Sequence, residues 1–289
     1  MLSVKGKYLT FLYLKFGYKS FYFKYLHMPL LTPKRIYGNF VFMLPTITIF
    51  GKLFFSYQLA IVIGSIISLA LMLYLKPRDF ILSRLSLLGL GVVLFIAGFA
   101  GGRALFLLLH LGRHFTFSDI ISFNGGYAYF GTLAFHIITL FTFCAITRKS
   151  FLKLMDYVIP FMLLAQAFVR IGCFMAGCCY GKPCNPPFGF VFKTHGNLLR
   201  YPTQLYECII LLTIFFIGRI IYEKNKDTPG KILFLSLFLY GVGRFFNEFL
   251  RVDSATVFMQ ITVAQITSLS LAIASTIGMI FVLNTKKKI

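Results

Sequence analysis

The chain has 289 residues, of which 58% are hydrophobic and 13% are charged. Soluble domains carry about 25% charged residues, so this composition and its long apolar runs exclude a soluble protein and predict an all-α polytopic membrane protein. The 29 Lys and Arg against 8 Asp and Glu are spread through the loops, which favours membrane lipid headgroups as partners and argues against nucleic acid.

Residues 1–42 form a basic and aromatic N-terminal extension without any acidic residue. The extension lacks the long apolar core of a signal peptide. Either it lies on a membrane surface, or it precedes a translation start at Met43. The second interpretation is favoured, because only this segment contradicts the distribution of basic residues in the rest of the chain. We expect residues 43–289 to form a single membrane domain.

Seven apolar stretches follow, each near the ~20 residues that a helix needs to cross the hydrocarbon core. Lys and Arg are concentrated in alternate loops, which places those loops in the cytoplasm. We therefore predict about seven transmembrane helices, with the N-terminus outside and the C-terminus cytoplasmic. The predicted spans are 54–75, 85–111, 127–147, 154–177, 203–222, 231–250 and 262–283.

Ionisable and polar side chains recur at one depth within these spans. A charge at the centre of the bilayer costs at least about 2.5–3.5 kcal/mol, so it indicates a partner or a function. Each arginine alone is compatible with snorkelling or with an intrahelical pair. Three of them at outer-leaflet depth favour a site for an anionic headgroup, because guanidinium groups bind phosphate through paired hydrogen bonds. The residues at this depth are Arg103, Arg170, Arg244, Glu248, Glu207 and Tyr57.

Four cysteines crowd into and just beyond the segment RIGCFMAGCCYG (170–181). Their C-x4-C-C-x4-C spacing matches no standard zinc or iron–sulfur pattern, and no histidine lies among them. We therefore predict no metal and no cofactor. The composition favours, in decreasing order, close packing, a disulfide, a metal site and a nucleophile. The four are Cys173, Cys178, Cys179 and Cys184.

Several motifs occur in the order found in a known family. They are SYQLAIVIG (56–64), GGRALF (101–106), GGYAYFGTL (125–133), RIGCFMAGCCYG (170–181), YPTQLYE (201–207), YGVGRFFNEFLR (240–251) and TVAQITSL (262–269). On these motifs the chain resembles the bacterial prolipoprotein diacylglyceryl transferases, in a cysteine-rich branch. The resemblance implies a multi-pass protein of the bacterial cytoplasmic (inner) membrane. It also implies transfer of the diacylglyceryl group of phosphatidylglycerol to a cysteine thiol in a prolipoprotein signal peptide, with release of glycerol phosphate.

The resemblance also implies roles for individual residues by their position in the motifs. Arginines would hold the lipid phosphate and offset the charge that grows on the leaving group. The implied catalytic residues are Arg170, Arg244, Tyr57 and Glu248. The implied substrate-binding residues are Arg103, Gly125, Gly126, Tyr240, Glu207 and Gln204.

Three positions depart from the family pattern. Phe130 stands where the family commonly has a histidine proposed as the base, and Cys173 and Cys178 replace an asparagine and a glutamate. A thiol must lose its proton before it attacks, so the proton acceptor is left without an assigned residue. A related phospholipid-headgroup transferase with another acceptor, such as a small thiol or alcohol, therefore stays open.

A transporter of an anionic solute would use the same arginines. Transporters often show internal repeats and a site at mid-membrane depth. This sequence shows no internal repeat, and its polar residues lie toward one face. The sequence therefore favours a transferase.

Overall fold

The computed structural model describes residues 44–49, 52–110, 127–185, 187, 189–192, 198–224, 228–252, 256–258 and 261–286. The extension 1–42, Gly125 and Gly126 lie outside these ranges. The described residues form seven long helices, each of which begins and ends within three residues of a predicted span. They are α1 (Ser56–Tyr74), α2 (Arg84–Leu109), α3 (Tyr129–Thr147), α4 (Phe151–Ala176), α5 (Thr203–Lys224), α6 (Lys231–Glu248) and α7 (Val263–Lys286).

Six of these helices, α1 to α5 and α7, are long and apolar enough to cross a membrane. The chain is therefore a polytopic helical membrane protein, as its composition predicts. The remaining helix, α6, carries Lys231, Arg244 and Glu248 within 18 residues, which lowers its mean hydropathy. These charges need partners inside the bundle. The orientation of the termini stays a prediction.

In the described part of the chain, three short antiparallel strand pairs lie before α1 and in two of the connections between helices. Strand β1 (Thr46–Ile49) pairs with β2 (Lys52–Phe55) directly before α1. Between α4 and α5, β3 (Phe190–Val191) pairs with β4 (Leu199–Arg200), and before α7, β5 (Thr256–Phe258) pairs with β6 (Ile261–Thr262). The sequence did not predict these strands, because two to four residues are too few to show an alternating pattern.

Helix α4 is the most deeply buried helix of the bundle. It packs against α1, α5 and α6. In its most apolar stretch of 18 residues, half of the residues are buried, whereas the buried share is 17% to 39% in the corresponding stretches of the other five candidate spans. Its buried side chains, such as Leu154, Tyr157 and Phe161, lie in one hydrophobic core with residues of the neighbouring helices. A residue near the end of α4 is therefore held by several helices at once.

Glycines allow helices to approach closely at the end of the bundle where α4 finishes. A Cβ atom on Gly172 would lie 2.6 Å from Cβ of Ala60 and 3.1 Å from Cα of Tyr57, so α1 and α4 nearly touch there. A Cβ atom on Gly131 would collide with the carbonyl oxygen of Gly101, so α2 and α3 approach closely in the same way. Small residues at helix crossings are usual in membranes.

Asp156 of α4 caps the N-terminus of α6. Its Oδ2 accepts a hydrogen bond from the Gly230 N–H at 2.6 Å, and its Oδ1 accepts one from the Leu233 N–H at 2.8 Å. Asp156→Ala would leave two buried donors unpaired, so we expect it to lower the free energy of unfolding by about 2–4 kcal/mol. Thermal unfolding in detergent measures this loss of stability. Asp156→Asn keeps one acceptor, so its melting temperature should lie between those of wild type and Asp156→Ala. Equal melting temperatures for wild type and Asp156→Ala would contradict the assignment.

Candidate active site

Five charged side chains form a continuous series of ion pairs where α4 and α6 end and α5 begins. Nη2 of Arg170 lies 3.0 Å from Oε1 of Glu207, and Nε of Arg244 lies 4.0 Å from the same oxygen. Nη1 of Arg244 lies 2.6 Å from Oε2 of Glu248, and Nε of Arg251 lies 3.7 Å from that oxygen. We call these five residues the arginine network.

The two carboxylates of the network are buried, whereas its three arginine side chains are partly exposed. The side chains of Glu207 and Glu248 are 0% exposed, whereas those of Arg170, Arg244 and Arg251 are 15%, 14% and 10% exposed. Three arginines against two carboxylates leave one net positive charge. Since guanidinium groups stay charged even when partly buried, the network is suited to a singly charged anion such as a phosphodiester.

Neighbouring polar side chains hold the two carboxylates in place. The Tyr240 hydroxyl donates to Oε1 of Glu207 at 3.2 Å, and the Thr262 hydroxyl donates to Oε1 of Glu248 at 3.1 Å. Nε of Arg170 is buried and has no hydrogen-bond partner among the described residues. One oxygen of each carboxylate is therefore held by a hydroxyl group, and the Nε–H of Arg170 is available as a hydrogen-bond donor.

The cysteine-rich segment folds into a tight turn after α4. Gly177 ends the helix with a φ of 70°, and Cys179 also adopts a left-handed conformation, with a φ of 61°. These two reversals bring the sulfurs of Cys173, Cys178 and Cys179 within 4.8 Å of one another. We call these three residues the cysteine cluster. Cys184, which follows this segment, is not a member.

The start of α5 fixes the turn that carries the cluster. The Thr203 hydroxyl donates to the carbonyl of Cys179 at 2.7 Å, and the Gln204 side-chain amide donates to the carbonyl of Cys178. Gln204 is fully buried and holds this backbone. We therefore expect it to position the turn rather than to contact a substrate, which revises the role implied by its motif.

Cys179 lies among groups that favour its ionised form. Hydrogen bonds with Cys173 and Cys178 lower the pKa of the Cys179 thiol, and burial opposes them. The nearby guanidinium groups of Arg251 and Arg170 lower this pKa further.

Tyr57 and Arg103, both predicted to belong to the site, lie in different surroundings. Tyr57 of α1 lies within electrostatic reach of Arg170 and of all three cluster cysteines, so it connects the network to the cluster. Arg103 is buried, and its guanidinium lies 5.4 Å from the ring centre of Phe106 and 5.9 Å from that of Tyr127. The ion pairs of the network use Arg251 instead of Arg103.

Sequence reasoning missed Arg251 and Tyr129. Arg251 lies one residue beyond the predicted span 231–250, although its position three residues after Glu248 could have indicated a pair. Tyr129, the residue before Phe130 in the glycine-rich motif, lies within electrostatic reach of Arg170 and Arg244.

The histidine nearest to the expected base position is not part of the site. Nε2 of His136 forms a hydrogen bond with the carbonyl of Leu94 at 3.0 Å, which joins α3 to α2. Phe130 is 58% exposed and has no ionisable group. Neither residue supplies a proton acceptor beside the network.

The chain matches a family model described as prolipoprotein diacylglyceryl transferase over residues 45–281, a range that includes the whole network and cluster. A phosphatidylglycerol–prolipoprotein diacylglyceryl transferase of Clostridium tetani is 31% identical over 212 residues, which cover 71% of this chain and 84% of the relative. One of Finegoldia magna is 30% identical over 244 residues, which cover 84% of this chain and 95% of the relative. In both comparisons the similarity therefore extends over most of this chain and most of the relative.

Proposed function

The chain belongs to the prolipoprotein diacylglyceryl transferase family, and we propose that it transfers the diacylglyceryl group of phosphatidylglycerol to the lipobox cysteine of prolipoproteins. Glycerol phosphate is the second product. The arginine network carries this proposal for the present chain, because it brings the guanidinium groups of Arg170 and Arg244 to one buried carboxylate, and guanidinium groups bind phosphate through paired hydrogen bonds.

The chemistry of the transfer sets what the network must do. The acceptor thiolate attacks the glycerol carbon that is bonded to the phosphate oxygen, so an S–C bond forms and a C–O bond breaks. The electron pair stays on that oxygen, and the phosphate changes from one negative charge to two. Arg170 and Arg244 stabilise this growing charge, and fixed donors in a water-poor site do so strongly. Glu207 lies between the two guanidinium groups and orients both.

The other implied residues are given roles by their place around the network. Glu248 orients Arg244 and Arg251, and Tyr240 fixes Glu207. Tyr57 lies within electrostatic reach of Arg170 and of the cysteine cluster, which supports a role for it beside the acceptor. The substrate-binding roles of Arg103, Gly125 and Gly126 rest on motif position alone.

We place the protein in the bacterial cytoplasmic (inner) membrane, with the network at the outer face and the C-terminus in the cytoplasm. The support is the concentration of Lys and Arg in alternate loops, which usually marks the cytoplasmic side. Its partners there would be phosphatidylglycerol, prolipoprotein signal peptides and the surrounding lipids.

An acceptor comparison tests the proposal. The purified chain is given phosphatidylglycerol together with a lipobox peptide, the same peptide with serine for cysteine, or a small thiol. We expect only the cysteine peptide to gain the mass of a diacylglyceryl group. Lipid turnover with the small thiol and not with the peptide would instead support a headgroup transferase with another acceptor. An inserted protein that turns over no lipid would contradict both.

A further inference from the structure

The cysteine cluster has a geometry that its sequence spacing does not reveal. We propose that Cys173, Cys178 and Cys179 bind one thiophilic divalent cation of the Zn²⁺ type, which holds the acceptor cysteine as its fourth ligand. The binding site stands on the structure alone, whereas the acceptor's part rests on the proposed function. The spacing argued against a metal, but the left-handed turns at Gly177 and Cys179 place three thiols together.

The separation of the sulfurs suits a shared cation. Zinc binds thiolate sulfur at about 2.3 Å in a tetrahedral arrangement, which places ligand sulfurs about 3.8 Å apart. The three sulfurs of the cluster already lie within 4.8 Å of one another. Shifts of about an ångström or less in flexible side chains would therefore bring them onto one ion.

The backbone that carries the cluster is fixed before any ion binds. The Cys178 N–H donates to the carbonyl of Cys173 at 3.1 Å. From the neighbouring helix α5, the side chains of Thr203 and Gln204 donate hydrogen bonds to the carbonyls of Cys179 and Cys178, respectively. A site whose ligands stand on a supported backbone loses little entropy on binding.

The cluster offers three ligands and is open on one side. Cys173 is 3% exposed, Cys179 is partly buried and Cys178 is exposed. Zinc sites with three protein ligands keep a fourth position for water or substrate, whereas structural sites are closed by four. The exposed side at Cys178 gives an acceptor thiol a path to the fourth position.

The surroundings offset the negative charge of three thiolates. Arg251 lies within electrostatic reach of Cys179, and Arg170 lies within electrostatic reach of Cys173 and Cys179. Tyr57 lies within reach of both the cluster and Arg170. An acceptor bound at the cluster would therefore stand beside the residues proposed to hold the lipid phosphate.

The cation would supply the thiol activation for which Phe130 offers no group. A thiol that binds such an ion gives up its proton, here to water on the open side at Cys178. Its sulfur then forms the S–C bond, the lipid C–O bond breaks, and the electron pair leaves on glycerol phosphate. The ion keeps its oxidation state, and the neutral thioether product, which is a weaker ligand than a thiolate, dissociates.

Cadmium binding tests the site without any lipid or peptide. The full-length chain, purified in detergent and freed of metal, is titrated with Cd²⁺ while its thiolate-to-metal charge-transfer absorbance is followed. We expect one tightly bound ion per chain. Each of Cys173→Ser, Cys178→Ser and Cys179→Ser should weaken binding by more than the about 10–100-fold that loss of an outer-shell partner costs. Cys144→Ser and Cys208→Ser, which alter cysteines outside the cluster, should bind as wild type.

The outcomes separate this inference from the proposed function. No charge-transfer band at equimolar Cd²⁺, or a band retained in Cys178→Ser, would overturn the metal site and leave the transferase proposal untouched. Lipidation that is lost on chelation and restored by Zn²⁺ would support the fourth-ligand role. Full lipidation by metal-free protein would overturn that role. Tight binding without lipidation at any Zn²⁺ level would overturn the transferase proposal instead.

Discussion

Arg170→Ala and Arg244→Ala should each lower the rate of peptide lipidation by at least about 10²–10³-fold, the loss typical of removing one donor that stabilises a growing negative charge. Both arginines lie beside Glu207, and in the proposed reaction they are the donors that hold the lipid phosphate. The measurement is the initial rate of diacylglyceryl transfer to a lipobox peptide, at matched amounts of inserted protein.

Lysine variants and a surface arginine serve as controls for this experiment. Arg170→Lys keeps the charge but loses the planar pair of donors, so its rate should lie between those of wild type and Arg170→Ala. Arg84→Ala alters an exposed arginine at the start of α2 and should leave the rate unchanged. Near-normal rates in both Arg170→Ala and Arg244→Ala would contradict a phosphate-holding role for the network.

Glu207→Gln should both unfold the protein more easily and slow the reaction. The carboxylate is fully buried, lies 3.0 Å from Arg170 and 4.0 Å from Arg244, and accepts a hydrogen bond from Tyr240. A neutral amide would leave two guanidinium groups without their shared counter-charge, and breaking a buried ion pair in this way costs about 3–5 kcal/mol. Lipidation should fall as well, because the two arginines lose their orientation.

Thermal unfolding in detergent measures the stability effect, with Glu223→Gln as the matched control. Glu223 pairs with Arg219 at 2.7 Å, but its side chain is 52% exposed, so its loss should cost at most about 1 kcal/mol. Adding Arg170→Ala to Glu207→Gln should recover part of the lost stability, because it removes an uncompensated charge. Equal melting temperatures for Glu207→Gln and Glu223→Gln would show that Glu207 does not hold the network together.

The helices could be predicted from the sequence because long apolar runs mark spans directly. All seven begin and end within three residues of the predicted limits. The shared level of Arg170 and Glu207 along the bundle was also predictable, since alternate spans run in opposite directions. That reasoning placed Arg170 and Glu207 at one level, and the structure pairs them at 3.0 Å.

Depth does not fix which way a side chain points around its helix, so the sequence could not show which arginines share carboxylates. Arg103 shares the predicted level but lies against the rings of Phe106 and Tyr127. Arg251 lies one residue beyond the predicted span 231–250 but pairs with Glu248.

The cysteine cluster was hidden for a different reason. A ligand pattern in sequence assumes a regular turn between the ligands, whereas here a left-handed glycine and a left-handed cysteine fold the segment back onto the end of α4. Spacing alone could not show that the three sulfurs converge. The side chains of Gln204 and Thr203 that fix this turn come from the next helix, and the local sequence of the turn could not indicate these contacts.

The central claim is that this chain joins a diacylglyceryl group to a cysteine sulfur and releases glycerol phosphate. The most direct measurement follows both products when the purified protein acts on labelled phosphatidylglycerol and a lipobox peptide. We predict one glycerol phosphate for each thioether formed on the peptide, and both products at a rate at least about 10²–10³-fold lower with Arg244→Ala. A folded, inserted wild-type protein that forms no thioether, or that releases glycerol phosphate without forming one, would contradict the claim.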